Sequence, residues 1–207
     1  MIGCRMGHNR DEKKADLKAR LIAAAEAEIA DHGLAGLKAR AVTARAGCAL
    51  GALYTAVEDL DMLVVEVNSR TLARLGATLS EAMAGASGPV AALQALAARY
   101  IDFAMENRAL WLCLFEHRLP EGRDFPDWHR QEYAVLLAVI APHLAALRPD
   151  LSREALVLRG RTTFAAVHGV VHLALQGRFV GLPPESLRAE VAALVETMTA
   201  GAAALAR

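Results

Sequence analysis

His168 and His172 stand four residues apart in a stretch of helical pattern, so both imidazoles can project from one helix face. Such a pair can hold a metal or offer hydrogen bonds to an acidic or carbonyl ligand. Without a matched carboxylate or cysteine the spacing is a weak metal signal, and the same residues also read as a buried histidine with a partly exposed neighbour. No metal and no cofactor is expected. Small-ligand pockets are mainly apolar with a few placed polar groups. That makes Phe103, Trp111, Phe115, Trp128, Tyr133 and Phe164, with His168 and His172, the candidate ligand-binding residues, although for each aromatic taken singly ordinary core is the better reading. Catalytic signatures are missing from the sequence: there is no Gly-rich phosphate loop, Gly-x-Ser-x-Gly elbow, His-Glu-x-x-His or Glu-x-x-His. No enzyme is expected. Cys4, Cys48 and Cys113 are widely spaced and odd in number, which gives no disulfide frame or zinc site and suits a reducing cytoplasm.

The elements that position these residues come from a chain of 207 residues, 55% of them hydrophobic. Soluble domains usually carry about 45–50%, and the surplus suits a partner subunit. The best apolar run, Ala134 to Ala141, ends at Pro142, far short of the ~18–20 residues a bilayer needs. The N-terminus lacks the apolar stretch of a secretory signal. Net charge is zero, yet all four lysines lie within the first 38 residues, and up to Thr55 nine Lys/Arg face six Asp/Glu. This local excess permits phosphate binding without demanding it.

Helical periodicity dominates, and the fold class is all-α with about nine helices. The first runs from about Lys13 to Asp31 on a stripe of Leu17, Leu21, Ile22, Ala25 and Ile29, with Gly33 placed to end it. Short helices at Ala39–Ala46 and Ala49–Ala56 flank Gly47-Cys48. Glu58-Asp59 opens a fourth that continues to about Met83, and residues 85–88 with Pro89 form the clearest break. Further helices are expected at Val90–Asn107, Ala109–His117 and Asp127–Leu147, then from a Ser152 cap to about Phe179, and from Glu185 to Leu205.

Two short helices around a glycine turn are what a helix-turn-helix needs, its second helix narrow enough for the major groove. Gly47, Gly51, Leu53, Tyr54 and Leu63 resemble the turn and the Gly-x-Leu-Tyr recognition helix of the TetR family. Ala24-Ala25, Ile29 and Gly33 are similar to that family's first helix. The resemblance covers about the first third of the chain. Further on, Phe164-Ala165-Ala166-Val167-His168-Gly169 resembles the Trp-His-Gly signature of one class of TetR C-terminal domains, with Val167 in place of the tryptophan.

The resemblance implies a DNA-binding domain over residues 1–58 and a ligand-binding and dimerisation domain over 59–207, with helix 59–84 connecting them. It implies that Gly51 lets the recognition helix approach DNA closely and that the Tyr54 hydroxyl reaches a phosphate. Leu50, Lys38, Arg40, Thr43, Arg45 and Thr55 become candidate contacts, and Arg10, Lys13 and Lys14 could extend the grip. Ala49 replaces the usual hydroxyl cap, Ala56-Val57 an aromatic pair, and Leu60 a phosphate-binding lysine. The implied partners are a double-stranded operator, a small-molecule effector and a second copy held through the last two helices. The implied outcome is repression relieved by the effector; a rival reading keeps the fold as a ligand-binding or protein-interaction module with weakened DNA contact.

Overall fold

The computed structural model describes the backbone of residues 4–177 and 182–205 and the side chains of 11–177 and 182–200. The expected helix end at Phe179 and the Arg10 side chain lie outside the described residues. The described chain is helical throughout and splits into two compact units, Met1–Thr71 with Ala109–His129, and Leu72–Arg108 with Arg130–Arg207. The division falls inside the fourth helix rather than ahead of it, and a later segment returns to the N-terminal unit.

In the first unit, α1 (Cys4–His32) buries Leu21, Ile22, Ala25 and Ile29 on one stripe. It stops at Gly33, whose φ of 71° suits glycine and whose amide still donates to the Ile29 carbonyl at 2.8 Å. A single 3-10 turn, Leu34–Gly36, leads to α2 (Ala39–Arg45), α3 (Leu50–Ala56) and the start of α4 (Leu60–Ala82). Val42, Leu53, Leu63, Val64 and Val67 complete one apolar cluster with the α1 stripe. Leu110 and Cys113 of α6 (Arg108–Glu116) belong to the same cluster. Burial pushes the Cys113 thiol up to about 12, leaving it a packing group rather than a thiolate.

The second unit holds the rest of α4 and α5 (Pro89–Glu106), with α10 (Arg153–Gln176) and α11 (Pro184–Leu205). Leu187, Val191, Val195 and Thr199 recur every fourth residue along α11 and are all buried, with α5 and α10 packed against that helix. Ser152 caps α10, accepting from the Ala155 amide at 3.3 Å. Gly177 ends it at φ 65°, and the Arg108 guanidinium donates to the Leu175 carbonyl at 2.6 and 3.1 Å, placing a cation at the negative helix end.

The stretch expected as one helix over Asp127–Leu147 is three: α7 (Asp127–Glu132), α8 (Ala134–Ala138) and α9 (Ala141–Leu147). Pro142 has no amide to continue the ladder, and tightened bonds from Leu136 to Tyr133 (3.2 Å) and Ile140 to Leu137 (3.1 Å) mark the breaks. Counted as one broken helix, this stretch leaves the expected nine among the described residues.

α8 sits close to α4 because Gly76 has no side chain: a Cβ there would meet Val135 Cγ1 at 2.6 Å. Gly76→Ala should destabilise the protein by about 1 kcal/mol, overpacking (~1–3 kcal/mol) outweighing the gain of ~1 kcal/mol in helix propensity. Combined with Val135→Ala the sign should reverse, which a double-mutant cycle of thermal unfolding would read.

Candidate nucleic-acid interface and ligand cavity

The turn between α2 and α3 is built from backbone. Gly47 takes φ 65°, its amide donates to the Ala44 carbonyl (3.2 Å), and the next amide, Cys48, donates to Thr43 (3.0 Å). This pair of bonds is a Schellman closure of α2. Arg20 reinforces it by donating to the Ala46 carbonyl at 2.8 Å. Arg20 escaped sequence reasoning because its partner lies 26 residues away and is backbone.

Leu53 is 0% exposed, and helical geometry then turns Gly51, Tyr54 (55% exposed) and Thr55 outward, with Leu50 at the start of α3 38% exposed. Nothing lies within 4 Å of where a Gly51 Cβ would stand, so the backbone is open at the surface there. The Thr55 hydroxyl donates to the Gly51 carbonyl at 3.1 Å. Ala49 begins α3 with no side-chain cap.

The candidate cations separate into two sets. Lys13, Lys14, Lys38 and Arg40 are exposed and have no ion-pair partner among the described residues. Arg45 instead donates to Glu28 and Asp31 of α1, both at 2.7 Å, so its charge is already compensated. Thr43 is buried with its hydroxyl donating to the Ala39 (3.0 Å) and Arg40 (3.2 Å) carbonyls, which makes it a packing residue of α2.

Just past α3, Asp59 caps α4 by accepting from the Met62 amide at 2.8 Å. Arg123, in the loop after α6, pairs with Asp59 and with Glu58 (3.0 Å), while His117 Nε2 lies 3.1 Å from Asp61 Oδ1. Burial raises the Asp59 carboxyl, but hydrogen bonds from Arg123 and Met62 outweigh it and hold it below its ordinary value. This loop was not singled out by the sequence, since its partners are 56 and 64 residues away. Trp111, 0% exposed, and Phe115 pack at 5.2 Å within this unit, as do Trp128 and His129 at 5.5 Å.

Of the candidate aromatics, Phe103, Tyr133 and Phe164 lie in the second unit. A small apolar cavity of about 50 Å³ is lined by Leu96, Tyr100, Leu136, Phe164 and Val167 among others. The His168 ring stacks on Phe164 (5.5 Å, 18°), and its Nδ1 lies 2.8 Å from the Tyr100 hydroxyl. His172 follows at 5.4 Å and meets Gln176 at 2.8 Å. Tyr100 is a residue that the sequence did not single out; a lone tyrosine on the buried face of an apolar helix was the available signal. Phe103 is buried on α5 and Tyr133 half-buried beside α8, and neither lines this cavity. Among the described residues no three His, Cys, Asp or Glu gather in metal-binding array.

Residues 93–198, about half of the chain, match the family described as "Tetracyclin repressor-like, C-terminal domain". The chain belongs to the TetR family, whose members are transcriptional regulators. That description names no Trp-His-Gly class. Solved structures share the fold across both chains. A transcriptional regulator from Rhodococcus sp. Rha1 is 23% identical over 90% of this chain and 97% of its own, at a TM-score of 0.70. A TetR regulator from Rhodococcus sp. RHA1 is 16% identical over 90% and 97%, at 0.62. RolR in complex with resorcinol is 19% identical over 95% of both, at 0.63. No curated protein matches the sequence. No helix among the described residues is long and apolar enough to cross a membrane.

Two measurements follow from this TetR chain. Ala49→Ser should supply the missing cap of α3 and stabilise the fold by roughly 1 kcal/mol in thermal unfolding. Burial, helped by His172, lowers His168 to about 4, against roughly 6.5 in an unfolded chain. Between those values the unfolded chain takes up a proton that the folded site refuses, so stability should be full above pH ~6.5 and fall on acidification towards ~4. His168→Gln should flatten the melting temperature across that window.

Proposed function

We propose that the protein is an effector-controlled repressor that binds a double-stranded operator as a homodimer and leaves it when a small molecule occupies the second unit. The observation that carries this reading is the Gly47 turn, which buries Leu53 and leaves Leu50, Gly51, Tyr54 and Thr55 on the open face of α3. Tyr54 reaches a phosphate, Gly51 lets backbone approach the groove, and Lys38 and Arg40, with Lys13 and Lys14, hold the flanking phosphates. Arg45 and Arg20 act differently, fixing α2 and the turn from the α1 side.

Homodimerisation through α10 and α11 is supported by Val157, Leu158 and Leu173, exposed on α10, and by the exposed small residues Ala189, Ala192 and Ala193 on α11. Two copies would set paired recognition helices about one DNA turn (~34–36 Å) or a multiple apart. The effector region is supported by the largely apolar cavity, whose lining includes Tyr100, paired with His168, and Thr163. RolR, a structural neighbour, was solved with resorcinol, a small aromatic molecule. The path for coupling is α4, which runs unbroken through residues of both units, its start tied to Arg123 and His117.

The test is operator binding with DNA flanking the gene. Wild type should bind specifically, with log affinity falling linearly in log salt by about 0.9 for each phosphate neutralised. Tyr54→Ala and Arg40→Ala should weaken binding tenfold or more, at about 1.4 kcal/mol per tenfold, with unchanged melting temperatures. Arg45→Ala should instead lower the melting temperature, because Glu28 and Asp31 lose their partner. A Tyr54→Ala protein that still binds the operator as wild type would refute the assignment of α3.

A further inference from the structure

A cleft of about 320 Å³ opens in the second unit among α5, α9, α10 and α11. Its lining combines Leu93, Leu144, Val195 and Met198 with two arginines and four threonines. No carboxylate is among the described residues that line it. Arg148, only 7% exposed, is held in a two-pronged pair by Asp150, Nε to Oδ1 at 2.8 Å and a terminal nitrogen to Oδ2 at 2.6 Å, so its charge is compensated. Arg159 has no ion-pair or hydrogen-bond partner among the described residues, which leaves the lining with one uncompensated positive charge.

The threonines divide in the same way. Thr162, Thr197 and Thr199 donate their hydroxyls to carbonyls of their own helices at 3.0, 2.8 and 2.9 Å. Thr163 is 9% exposed, and its hydroxyl has no partner among the described residues. Thr163, Leu93 and Val195 line both this cleft and the cavity beside Tyr100, forming a shared wall. The inner cavity alone is far smaller than the roughly 300–1,000 Å³ of ordinary ligand pockets, whereas the cleft already falls within that range.

An unmatched, exposed guanidinium and an unmatched hydroxyl in the cleft lining, with an apolar cavity that shares Leu93, Thr163 and Val195, describe a ligand with one charged end. A wholly apolar ligand would leave Arg159 and Thr163 unpaired. A small polar ion would leave the cavity unfilled. We propose that cleft and cavity together take one ligand, a small carboxylic acid with an apolar body. Its carboxylate sits at Arg159 and its body passes Thr163 towards Tyr100 and Phe164. This rests on the reading of the second unit as the effector region and names the class of effector. Arg is suited to the task because its planar fork matches a carboxylate in two bonds.

The experiment is calorimetric titration of the full-length protein with butyrate, hexanoate, octanoate, decanoate, benzoate and 3-phenylpropionate, each alongside its primary amide. At least one acid should bind, with its amide about tenfold or more weaker, the range expected for hydrogen bonds to a charged group. Arg159→Ala should reduce the acid to the level of its amide while circular dichroism and amide binding stay unchanged. Thr163→Val, close to wild type in volume, should weaken the acid less than Arg159→Ala does. The proposal is overturned if no acid in the set binds, if acids and amides bind alike, or if Arg159→Ala binds the acid as tightly as wild type. Operator binding by the ligand-free protein separates the two readings. Operator binding without acid recognition removes the acid site alone, and acid recognition without operator binding keeps the site and removes the repressor.

Discussion

The reading head depends on one short piece of backbone. Residues 46–48 must reverse direction tightly enough for α3 to lay Leu53 into the cluster made by Leu21, Ile29 and Val42. Only a residue tolerant of positive φ closes that turn cheaply, and Gly47 does so while its amide and that of Cys48 each satisfy a carbonyl at the end of α2. Once Leu53 is inside, Gly51 two behind it and Tyr54 and Thr55 one and two ahead cannot also be inside, because a helix has only one face per core. The exposure of Gly51, Tyr54 and Thr55 is the other side of Leu53's burial. Burying a leucine fully is worth roughly 1.5–3 kcal/mol, ample to fix the rotation of a seven-residue helix with no side-chain cap.

Charge follows from the same packing. Arg20 and Arg45 both lie where α1 and α2 meet, and each has a partner there, a helix-end carbonyl for one and two carboxylates for the other. Their cations hold the head together. The cations beyond reach of those carboxylates, Lys38 and Arg40, remain available for phosphates. The local basic excess of the sequence is therefore divided between struts within the head and cations left exposed on it.

In the second unit the decisive quantity is the polarity of a small space. Tyr100 and His168 satisfy each other beside a lining that is apolar but for Thr163, and burial favours the uncharged imidazole. A neutral pair can sit against apolar walls where an imidazolium could not. This places the charge-recognising group elsewhere, at the wider cleft on the far side of Leu93, Thr163 and Val195.

What the sequence determined by itself was local. Spacings of three and four gave the helices and the stripe of α1, Gly33 and Gly47 gave the stops, Ser152 gave a cap, and Gly51-Ala52-Leu53-Tyr54 gave the family. Each of these is fixed by a residue's own backbone preference or by neighbours within one or two turns. Tertiary structure decided what depends on distant partners. It placed Ala109–His129 with the N-terminal unit, put Trp111, Phe115 and Trp128 there and Phe164 and His168 in the other, and turned Thr43 inward. It also broke 127–147 into three helices, and it paired Arg45 with Glu28, Arg123 with Asp59, and Tyr100 with His168. The reason is geometric: a periodic pattern says which side of a helix is apolar, but not which of several apolar neighbours that side will meet.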